Sequence, residues 1–424
     1  MTSIALEQSR DWWSRAERVI PLGTQTLSKS PTQFVQGVTP IFLRRGQGAH
    51  VWDVDGNEFV DYPMALGPVI LGYTEPVVNQ AIERQLRDGI TFTLMHPLEV
   101  AVAERIVAMC PGVEAVRFAK SGSDAVSAAV RAARAITGRD AVAASGYHGW
   151  HDWYVGTTTR NRGVPGAVSE LTRTFPFGDL DSLERLLADA SAPLAAVVLE
   201  PSGLTVPAEG YLAAVVEMAH HHGALVVFDE VIVGFRVAPG GARERYDVRP
   251  DFSCYGKALG NGMPIAAVAG GWDVMAIFEE VFFSGTHGGE ALSLAAAAAV
   301  LDELADGTVL ACIEARGATL MDGMRKRIEA AGIASRVSVS GEPQRTVVSF
   351  GGPDPLVDKS WVQQCFAEGG VLFNGSMFIC ARHSDDDIVR TLDIFEQACA
   401  GLVGGRDVSG DLVGDAIQPV FRAP

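Results

Sequence analysis

The sequence predicts an α/β protein in which a large, doubly wound domain with a mostly parallel sheet accompanies a smaller α+β domain. Between residues 65 and 310, helical segments alternate with short, wholly apolar runs such as LAAVVLE (194–200) and ALVVFDE (224–230). Strands buried on both faces of a parallel sheet have this continuous apolar character, and strand–helix alternation favours such a sheet. Further along, helical patterns mix with alternating runs such as TVVSF (346–350), which indicates the smaller domain.

These patterns predict that the chain is divided into three segments. Residues 1–64 contain a helical pattern that stops at Pro21 and two alternating runs around Asp55-Gly56, which predict a β-hairpin. We expect this segment to pack with the small domain. Residues 65–310 form the predicted large domain, and residues 311–424 form the small domain and a tail. The last ~20 residues are rich in Gly, Asp and Pro and are predicted to be loose.

Composition narrows the class of function. The 424 residues are 48% hydrophobic and 20% charged with a formal net charge of −17, which argues against nucleic acid or an anionic membrane as the main partner. Six scattered cysteines without a CxxC pair favour free thiols over disulfides or a zinc site. No signal peptide is recognisable, and LSLAAAAAVL is too short to span a bilayer. We therefore expect a cytoplasmic protein without a bound metal.

A candidate anion site opens the segment FAKSGSDAVSAAVRAARAITG (118–138). A predicted strand ends near Ala119, and Ser121, Gly122 and Ser123 open a helix that Gly138 closes. Free N–H groups at a helix N-terminus favour a phosphate. Ser and Asp at a helix start also serve as ordinary caps, so both interpretations stay open here.

Two further strand ends carry polar or aromatic side chains. Asp229 and Glu230 directly follow a buried strand, where a carboxylate either holds a protonated ring nitrogen or ends the strand as a solvated group, metal ligand or helix cap. Tyr147 follows a small-residue strand and can stack on a flat ring. Its neighbours His148 and His151 invite a metal site, but no further ligand cluster supports one.

Lys257 is the only charged side chain from Phe252 through Gly271. Lysine is almost never buried unless it is paired or used, and an apolar pocket favours the neutral amine that forms a Schiff base with an aldehyde. A phosphate cradle, a carboxylate for a ring nitrogen, a stacking aromatic ring and an imine-forming lysine together predict a pyridoxal 5'-phosphate site. Lys257 would be the covalent anchor and the proton shuttle, and Asp229 would keep the ring nitrogen protonated.

The motifs, in this order, resemble those of class III pyridoxal-phosphate aminotransferases of the ornithine and glutamate-1-semialdehyde type. The resemblance covers about residues 10–400 and includes VWDVDGNEFVDY, KSGSDA, YHGW, LEP, FDEVIVGFR, PDFSCYGKALGNGMPIAAVAGG and FFSGTHGGEALSLAAAAAVL. It implies the fold-type I architecture. It assigns Lys257 to the imine with the cofactor, Asp229 to the pyridine nitrogen, and Val231 to the ring face opposite Tyr147. Glu200 would support the cofactor contacts or face the substrate.

The same resemblance implies a homodimer with active sites at the subunit interface. Ser121, Gly122 and Ser123 would hold the phosphate, helped by Thr286 from the partner subunit. The chain has Ser-Gly-Ser-Asp-Ala where the family often has Ser-Gly-Thr-Glu-Ala, a change that keeps the backbone donors.

Departures from the semialdehyde mutases concentrate on the substrate side. SGLTVP (202–207) lacks their asparagine, LFNGSMFICARHSDDD (372–387) lacks their glutamate, and GTQTLSKSPTQF (23–34) replaces their arginine motif. These changes resemble those in a branch of semialdehyde-mutase-like enzymes from polysaccharide and antibiotic pathways. That resemblance implies an aminotransferase of amino sugar biosynthesis that moves an amino group from an amino-acid donor, glutamate, to a keto group of a polar, sugar-type or nucleotide-linked acceptor.

Two alternatives remain. An intramolecular aminomutase of the glutamate-1-semialdehyde type would use the same cofactor, and an inactive scaffold or sensor would not need the retained Lys257 and Asp229. Arg160 and Arg162 form either a lid over a phosphorylated substrate or a solvated basic loop.

Overall fold

The structure, a computed structural model, describes residues 4–419. The chain divides into two compact units. One comprises the described parts of Met1–Glu75 and Ala311–Arg422, and the other comprises Pro76–Leu310. The segment before Pro76 therefore belongs to the same unit as the C-terminal part of the chain.

The strands and α-helices of the described residues follow one another in chain order. The strands are β1 (Leu43–Gln47), β2 (His50–Asp53), β3 (Glu58–Asp61), β4 (Ala115–Ala119), β5 (Ala141–Ser145), β6 (Thr172–Thr174), β7 (Leu194–Leu199), β8 (Leu225–Asp229), β9 (Phe252–Tyr255), β10 (Ala266–Gly270), β11 (Val337–Glu342), β12 (Arg345–Phe350), β13 (Val371–Leu372) and β14 (Ser376–Phe378). The helices are α1 (Glu7–Val19), α2 (Pro76–Asp88), α3 (Pro97–Met109), α4 (Gly122–Thr137), α5 (Asp152–Val155), α6 (Gly166–Ser169), α7 (Leu180–Leu187), α8 (Tyr211–His221), α9 (Ala242–Arg245), α10 (Trp272–Met275), α11 (Ala291–Leu304), α12 (Thr308–Ala331), α13 (Pro355–Glu368) and α14 (Asp385–Gly401). None of these described helices is both long and apolar enough to cross a bilayer.

The Pro76–Leu310 unit is built on a seven-stranded sheet with the order β4-β10-β9-β8-β7-β5-β6. The neighbours from β9 to β6 are parallel, whereas β10 runs antiparallel to both β9 and β4. β4 therefore points in the same direction as β9, and six of the seven strands end at one edge. The mostly parallel sheet predicted from apolar runs is confirmed, and every residue of β7 is buried.

The other unit contains two smaller sheets, with orders β1-β2-β3-β13 and β11-β12-β14. β2 and β3 form the predicted antiparallel hairpin. The Asp53 side chain accepts hydrogen bonds from the backbone N–H groups of Asp55 and Asn57 at 2.9 and 2.8 Å, which closes its turn. The predicted strand at 346–350 lies within β12.

The expectation of a loose tail is wrong for residues up to 419. Ile417 is buried in a cluster with Val35 and Val38, and its N–H donates to Ser360 Oγ at 3.0 Å. The Gln418 N–H donates to the carbonyl oxygen of Thr32 at 2.8 Å. Burial of Ile417 and backbone hydrogen bonds such as these thus fix a segment whose composition suggests a coil.

Candidate active site

The predicted site residues follow strands that end at the same edge of the seven-stranded sheet. Ser121 comes just after β4, Tyr147 after β5, Glu200 after β7 and Lys257 after β9, while Asp229 is the last residue of β8. This edge is where open α/β sheets bind ligands. In the parallel pair of β8 and β9, Asp229 lies beside Cys254. Lys257 follows Cys254 by three residues, so Asp229 and Lys257 belong to neighbouring strand ends.

The N-terminus of α4 offers two free donors. Ser121 caps the helix, with its Oγ accepting from the Asp124 N–H at 3.2 Å, and Asp124 Oδ2 accepts from the Ser121 N–H at 2.9 Å. This reciprocal cap satisfies two of the first N–H groups. The N–H groups of Gly122 and Ser123 make no hydrogen bond within the described residues. Because α4 has 16 residues, its full dipole adds to these two donors, an arrangement that suits a phosphate.

Val231 packs between the α4 N-terminus and the residue before Lys257. A methyl group built on Gly122 would lie 2.7 Å from Val231 Cγ2, and one built on Gly256 would lie 3.4 Å from Cγ1. The Val231 N–H donates to Asp229 Oδ1 at 3.2 Å. The valine side chain is therefore held next to the candidate phosphate cradle, and only glycine leaves room for it at position 122.

Asp229 is paired with His148, a partner that the sequence did not reveal. His148 Nδ1 lies 2.8 Å from Asp229 Oδ2, and the side chains are 0% and 6% exposed. The other ring nitrogen, Nε2, lies 3.1 Å from the carbonyl oxygen of Ser145, which can only accept, so Nε2 carries a hydrogen. Nδ1 faces the Asp229 carboxyl group, so the two side chains form a buried hydrogen-bonded pair.

Glu200 positions Tyr147. Its Oε1 accepts from the Tyr147 N–H at 2.8 Å. Gly146 has φ +107°, and a side chain there would meet Glu200 Oε1 at 2.8 Å. Burial and the negative charge of Asp229 raise the pKa of Tyr147, whose side chain stays about half exposed at 52%. A glycine turn followed by an anchored aromatic ring fits the predicted stacking role.

Lys257 has a left-handed backbone conformation with φ +42°. It opens a 3₁₀ turn, Lys257–Gly260, whose other residues Ala258, Leu259 and Gly260 are buried. A left-handed non-glycine residue costs of order 1–3 kcal/mol and is concentrated at functional sites. The lysine is therefore presented from a strained, apolar turn at the sheet edge.

The structure places the remaining candidates at the surface. Thr286 is exposed and lines a groove of about 1320 Å³ together with Lys120, Asp124 and His151. Arg160 and Arg162 are exposed in the loop after α5. No cluster of His, Cys, Asp or Glu within residues 4–419 could hold a metal ion.

The donor set fits pyridoxal 5'-phosphate. Two free N–H groups at a helix N-terminus match its phosphate, and the buried Asp229–His148 pair matches a ring nitrogen that binds a proton. Tyr147 follows β5 and Val231 follows β8 at the same sheet edge, where they supply an aromatic and an apolar side chain. His148 is the component that sequence reasoning missed. Its partner lies 81 residues further along the chain, so only the strand order brings them together.

Comparisons with known proteins agree with this geometry. Residues 33–374 match the family Aminotransferase class-III. The chain is 34% identical to a glutamate-1-semialdehyde 2,1-aminomutase of Anaeromyxobacter sp. (strain Fw109-5), with 93% of this chain and 98% of that protein covered. It is 32% identical to a 3-aminobutyryl-CoA aminotransferase of Cloacimonas acidaminovorans (strain Evry), with 94% and 98% covered.

Among solved structures, the FumI protein of Sphingopyxis sp. MTA144 in its PLP internal aldimine form superposes with a TM-score of 0.88 at 28% identity, covering 96% of this chain and 98% of that one. The resemblance read from the motifs, the fold-type I architecture and the cofactor are thereby confirmed. The chain belongs to the class III aminotransferases and is a pyridoxal-phosphate-dependent enzyme.

Proposed function

We propose that this enzyme moves an amino group from an amino-acid donor, glutamate, to a keto group of a polar, sugar-type or nucleotide-linked acceptor in amino sugar biosynthesis. The observation that carries the amino-transfer part is the buried Asp229–His148 pair at the same sheet edge as Lys257. The acceptor part rests on the substrate-side sequence changes at residues 23–34, 202–207 and 372–387.

In this proposal, each backbone group and side chain of the site has its own role. The N–H groups of Gly122 and Ser123 bind the phosphate, and Tyr147 and Val231 cover the two ring faces. When bound, pyridoxal phosphate supplies an electron-withdrawing ring that accepts the electron pair released as the substrate's C–H bond breaks.

Asp229 holds a proton at the ring nitrogen, and His148 keeps the Asp229 carboxyl oriented and supplied with a hydrogen-bond partner. Lys257 anchors the cofactor in the resting enzyme. Once released by the substrate, its amine takes the proton from the substrate carbon and, as an ammonium, can return it.

Arg160 and Arg162 support an anionic acceptor. They are exposed in the loop after α5, in the same unit as Tyr147, and arginine binds phosphate oxygens in a bidentate geometry. A lid that carries these arginines would close over the acceptor. A solvated basic loop is the competing interpretation of the same residues.

The second candidate is an intramolecular aminomutase, which is favoured by the 34% identity to a protein of that name. Both candidates retain the cofactor site, so they differ only in whether a second substrate is needed. For both candidates, reduction of the yellow protein with borohydride tests whether Lys257 carries the cofactor.

Half-reactions of the purified enzyme distinguish these functions. With glutamate alone, the aminotransferase is expected to release 2-oxoglutarate with a shift in cofactor absorbance, and a panel of keto sugars and nucleotide-linked ketones then restores the first spectrum. Conversion of glutamate-1-semialdehyde without a second substrate, and no reaction with any keto sugar, would replace the proposal by the mutase.

We further propose a cytoplasmic homodimer with shared active sites. All six cysteines are free, as expected in a reducing compartment. Leu94, Met95 and Phe282 are large apolar side chains that are 83%, 87% and 78% exposed, which supports a partner surface on the Pro76–Leu310 unit. Sedimentation should show a dimer that loosens when the cofactor is removed, because cofactor bound across an interface favours the dimer by mass action. A fully active monomer would contradict the shared site.

A further inference from the structure

An ion pair joins the phosphate cradle to the helix that follows the Thr286 segment. Lys120 directly precedes Ser121, and its Nζ lies 3.0 Å from Glu290 Oε2, with the two side chains 25% and 12% exposed. Glu290 is itself fixed, because it caps α11 by accepting from the N–H groups of Leu292 at 2.7 Å and Ser293 at 3.2 Å. Lys120 thus binds to a carboxylate that cannot easily move away.

Two arginines hold the other end of the same segment. Arg131 of α4 donates from Nη1 to the carbonyl oxygen of Phe282 at 2.8 Å. Arg117 of β4 donates from Nη2 to the carbonyl oxygen of Phe283 at 2.6 Å. The strand and helix that flank the cradle therefore bind one end of a short stretch of chain, and Lys120, which lies between them in the sequence, binds the other.

Residues 284–289, SGTHGG, lie between these attachment points, and we name them the SGTHGG segment. Half of its residues are glycine, so its own conformational preference is weak. Ser284 through His287 are exposed. A segment of this composition keeps one conformation only if its ends are fixed. Lys120, Arg117 and Arg131 fix these ends through the contacts described above.

We propose that Lys120 and Glu290 are positioning residues for cofactor binding, whose ion pair keeps the SGTHGG segment in the shape that lets Thr286 reach the phosphate bound in the other subunit of the dimer. The inference rests on the proposed homodimer with shared active sites, in which Thr286 of one subunit contacts the phosphate held by the other. Lys120 acts here through the segment it holds, since its charge is already offset by Glu290 beside the cradle.

The test compares the cofactor affinity of Lys120→Met, Glu290→Gln and the double variant, measured by equilibrium dialysis of pyridoxal phosphate with the full-length apoenzyme. Each single change is expected to weaken binding about tenfold, equivalent to about 1.4 kcal/mol. The double variant should bind the cofactor no more weakly than each single variant does, because either change breaks the same ion pair. Arg105→Met is the matched control. It removes a 2.8 Å ion pair onto Asp302 of the same helix α11, away from the cradle, and should leave cofactor affinity unchanged.

Whether Glu290→Gln weakens or tightens cofactor binding distinguishes a positioning role of Lys120 from a purely electrostatic one. If Lys120 acted by its charge alone, releasing it from Glu290 would tighten binding of both pyridoxal phosphate and inorganic phosphate, and this result would overturn the proposal. Wild-type affinity in both single variants would do the same. If Lys120→Met does not fold, Lys120→Arg should retain wild-type affinity while Glu290→Gln still weakens it.

Thr286→Ala separates this inference from the assignment on which it depends. Weaker cofactor binding in Thr286→Ala with unchanged binding in Lys120→Met would leave the Thr286 role standing and remove the positioning role. Unchanged binding in Thr286→Ala would overturn both. Dialysis contains no amino donor or acceptor, so the outcome is independent of the proposed substrates.

Discussion

At the scale of single residues, the proposed proton chemistry depends on the buried Asp229–His148 pair. Both side chains are almost completely buried, so their 2.8 Å hydrogen bond is shielded from bulk solvent. Removing one partner of a buried pair leaves the other uncompensated, at a cost of about 3–5 kcal/mol. The imidazole therefore has more influence on Asp229 than a surface neighbour would have.

Asp229→Asn is expected to lower turnover far more than cofactor affinity. A neutral amide cannot balance a protonated ring nitrogen, while the phosphate donors at Gly122 and Ser123 remain. Loss of one charge-assisted hydrogen bond costs roughly 1.5–3 kcal/mol, so kcat should fall at least about tenfold. His148→Gln should lower kcat by a smaller factor and shift its pH profile.

The matched control is His220→Gln, which removes a histidine from an exposed pair with Asp251 at 2.9 Å. Its kinetics should equal those of the wild type. Wild-type turnover in Asp229→Asn would reduce Asp229 to a structural carboxylate.

Lys257→Ala should fold and retain weak cofactor binding but lose turnover by at least about 10²–10⁴-fold, the contribution of one positioned acid–base group. The cofactor spectrum should become that of free pyridoxal phosphate, and borohydride should no longer attach the cofactor to the chain. Lys326→Ala, which changes a lysine of α12 in the other unit, is the control. Near-normal turnover of Lys257→Ala without added amine would refute the assignment.

The sequence pointed to Lys257 and Asp229 because each is a charged residue that follows an apolar strand, which is a local signal. His148 carried no such signal. Its role depends on strand order, which places β5 and β8 on either side of β7. A pairing between residues 81 positions apart cannot be read from one sequence.

At the scale of elements, α4 combines a structural cap with the proposed phosphate site. The Ser121–Asp124 cap uses some of the first N–H groups and leaves those of Gly122 and Ser123 free. Gly138 closes the helix, as predicted, and its backbone there is in the left-handed conformation. The close contact between Gly122 and Val231 then sets how near the helix end comes to β8.

Gly122→Ala should weaken cofactor binding because its methyl group would lie 2.7 Å from Val231 Cγ2 and force the two elements apart. Overpacking of this kind costs about 1–3 kcal/mol. Equilibrium dialysis should show the loss in cofactor affinity, and urea unfolding of the apoenzyme should show the loss in stability. Gly166→Ala, at a glycine with nothing within 4 Å, is the control. Unchanged cofactor affinity in Gly122→Ala would mean that the cradle tolerates the displacement.

Strand positions were easier to predict than strand directions. β7 and β8 are continuous apolar runs and lie where the sequence placed them. β10 is equally apolar and equally buried, yet it runs antiparallel to both neighbours. Apolar composition reports burial and not direction, so the sequence supported a mostly parallel sheet without identifying the exception.

At the scale of the whole molecule, each unit buries a carboxyl group whose pKa is raised. Burial raises the pKa of Asp61 to about 6 in one unit and that of Glu230 to about 7 in the other. Both groups keep hydrogen-bond donors, from Tyr73 to Asp61 and from Ser253 and Ala242 to Glu230. The folded chain therefore binds protons more tightly at these two sites than the unfolded chain does.

Glu230→Gln tests this link between proton binding and stability. Because the folded pKa of about 7 lies above the ordinary value of 4.5, the contribution of Glu230 is fully present below pH 4.5 and is lost as the pH rises through 7. At 1.36 kcal/mol per pKa unit, the complete loss is about 3 kcal/mol.

Urea midpoints of the apoenzyme between pH 5 and pH 8 should therefore fall more steeply for the wild type than for Glu230→Gln. Apoenzyme is used because cofactor binding has its own pH dependence. Glu209→Gln, at an exposed glutamate, should follow the wild-type curve. Parallel curves for wild type and Glu230→Gln would mean that Glu230 is ionised throughout, with Arg243 compensating its charge through the 2.8 Å bond to Ser253.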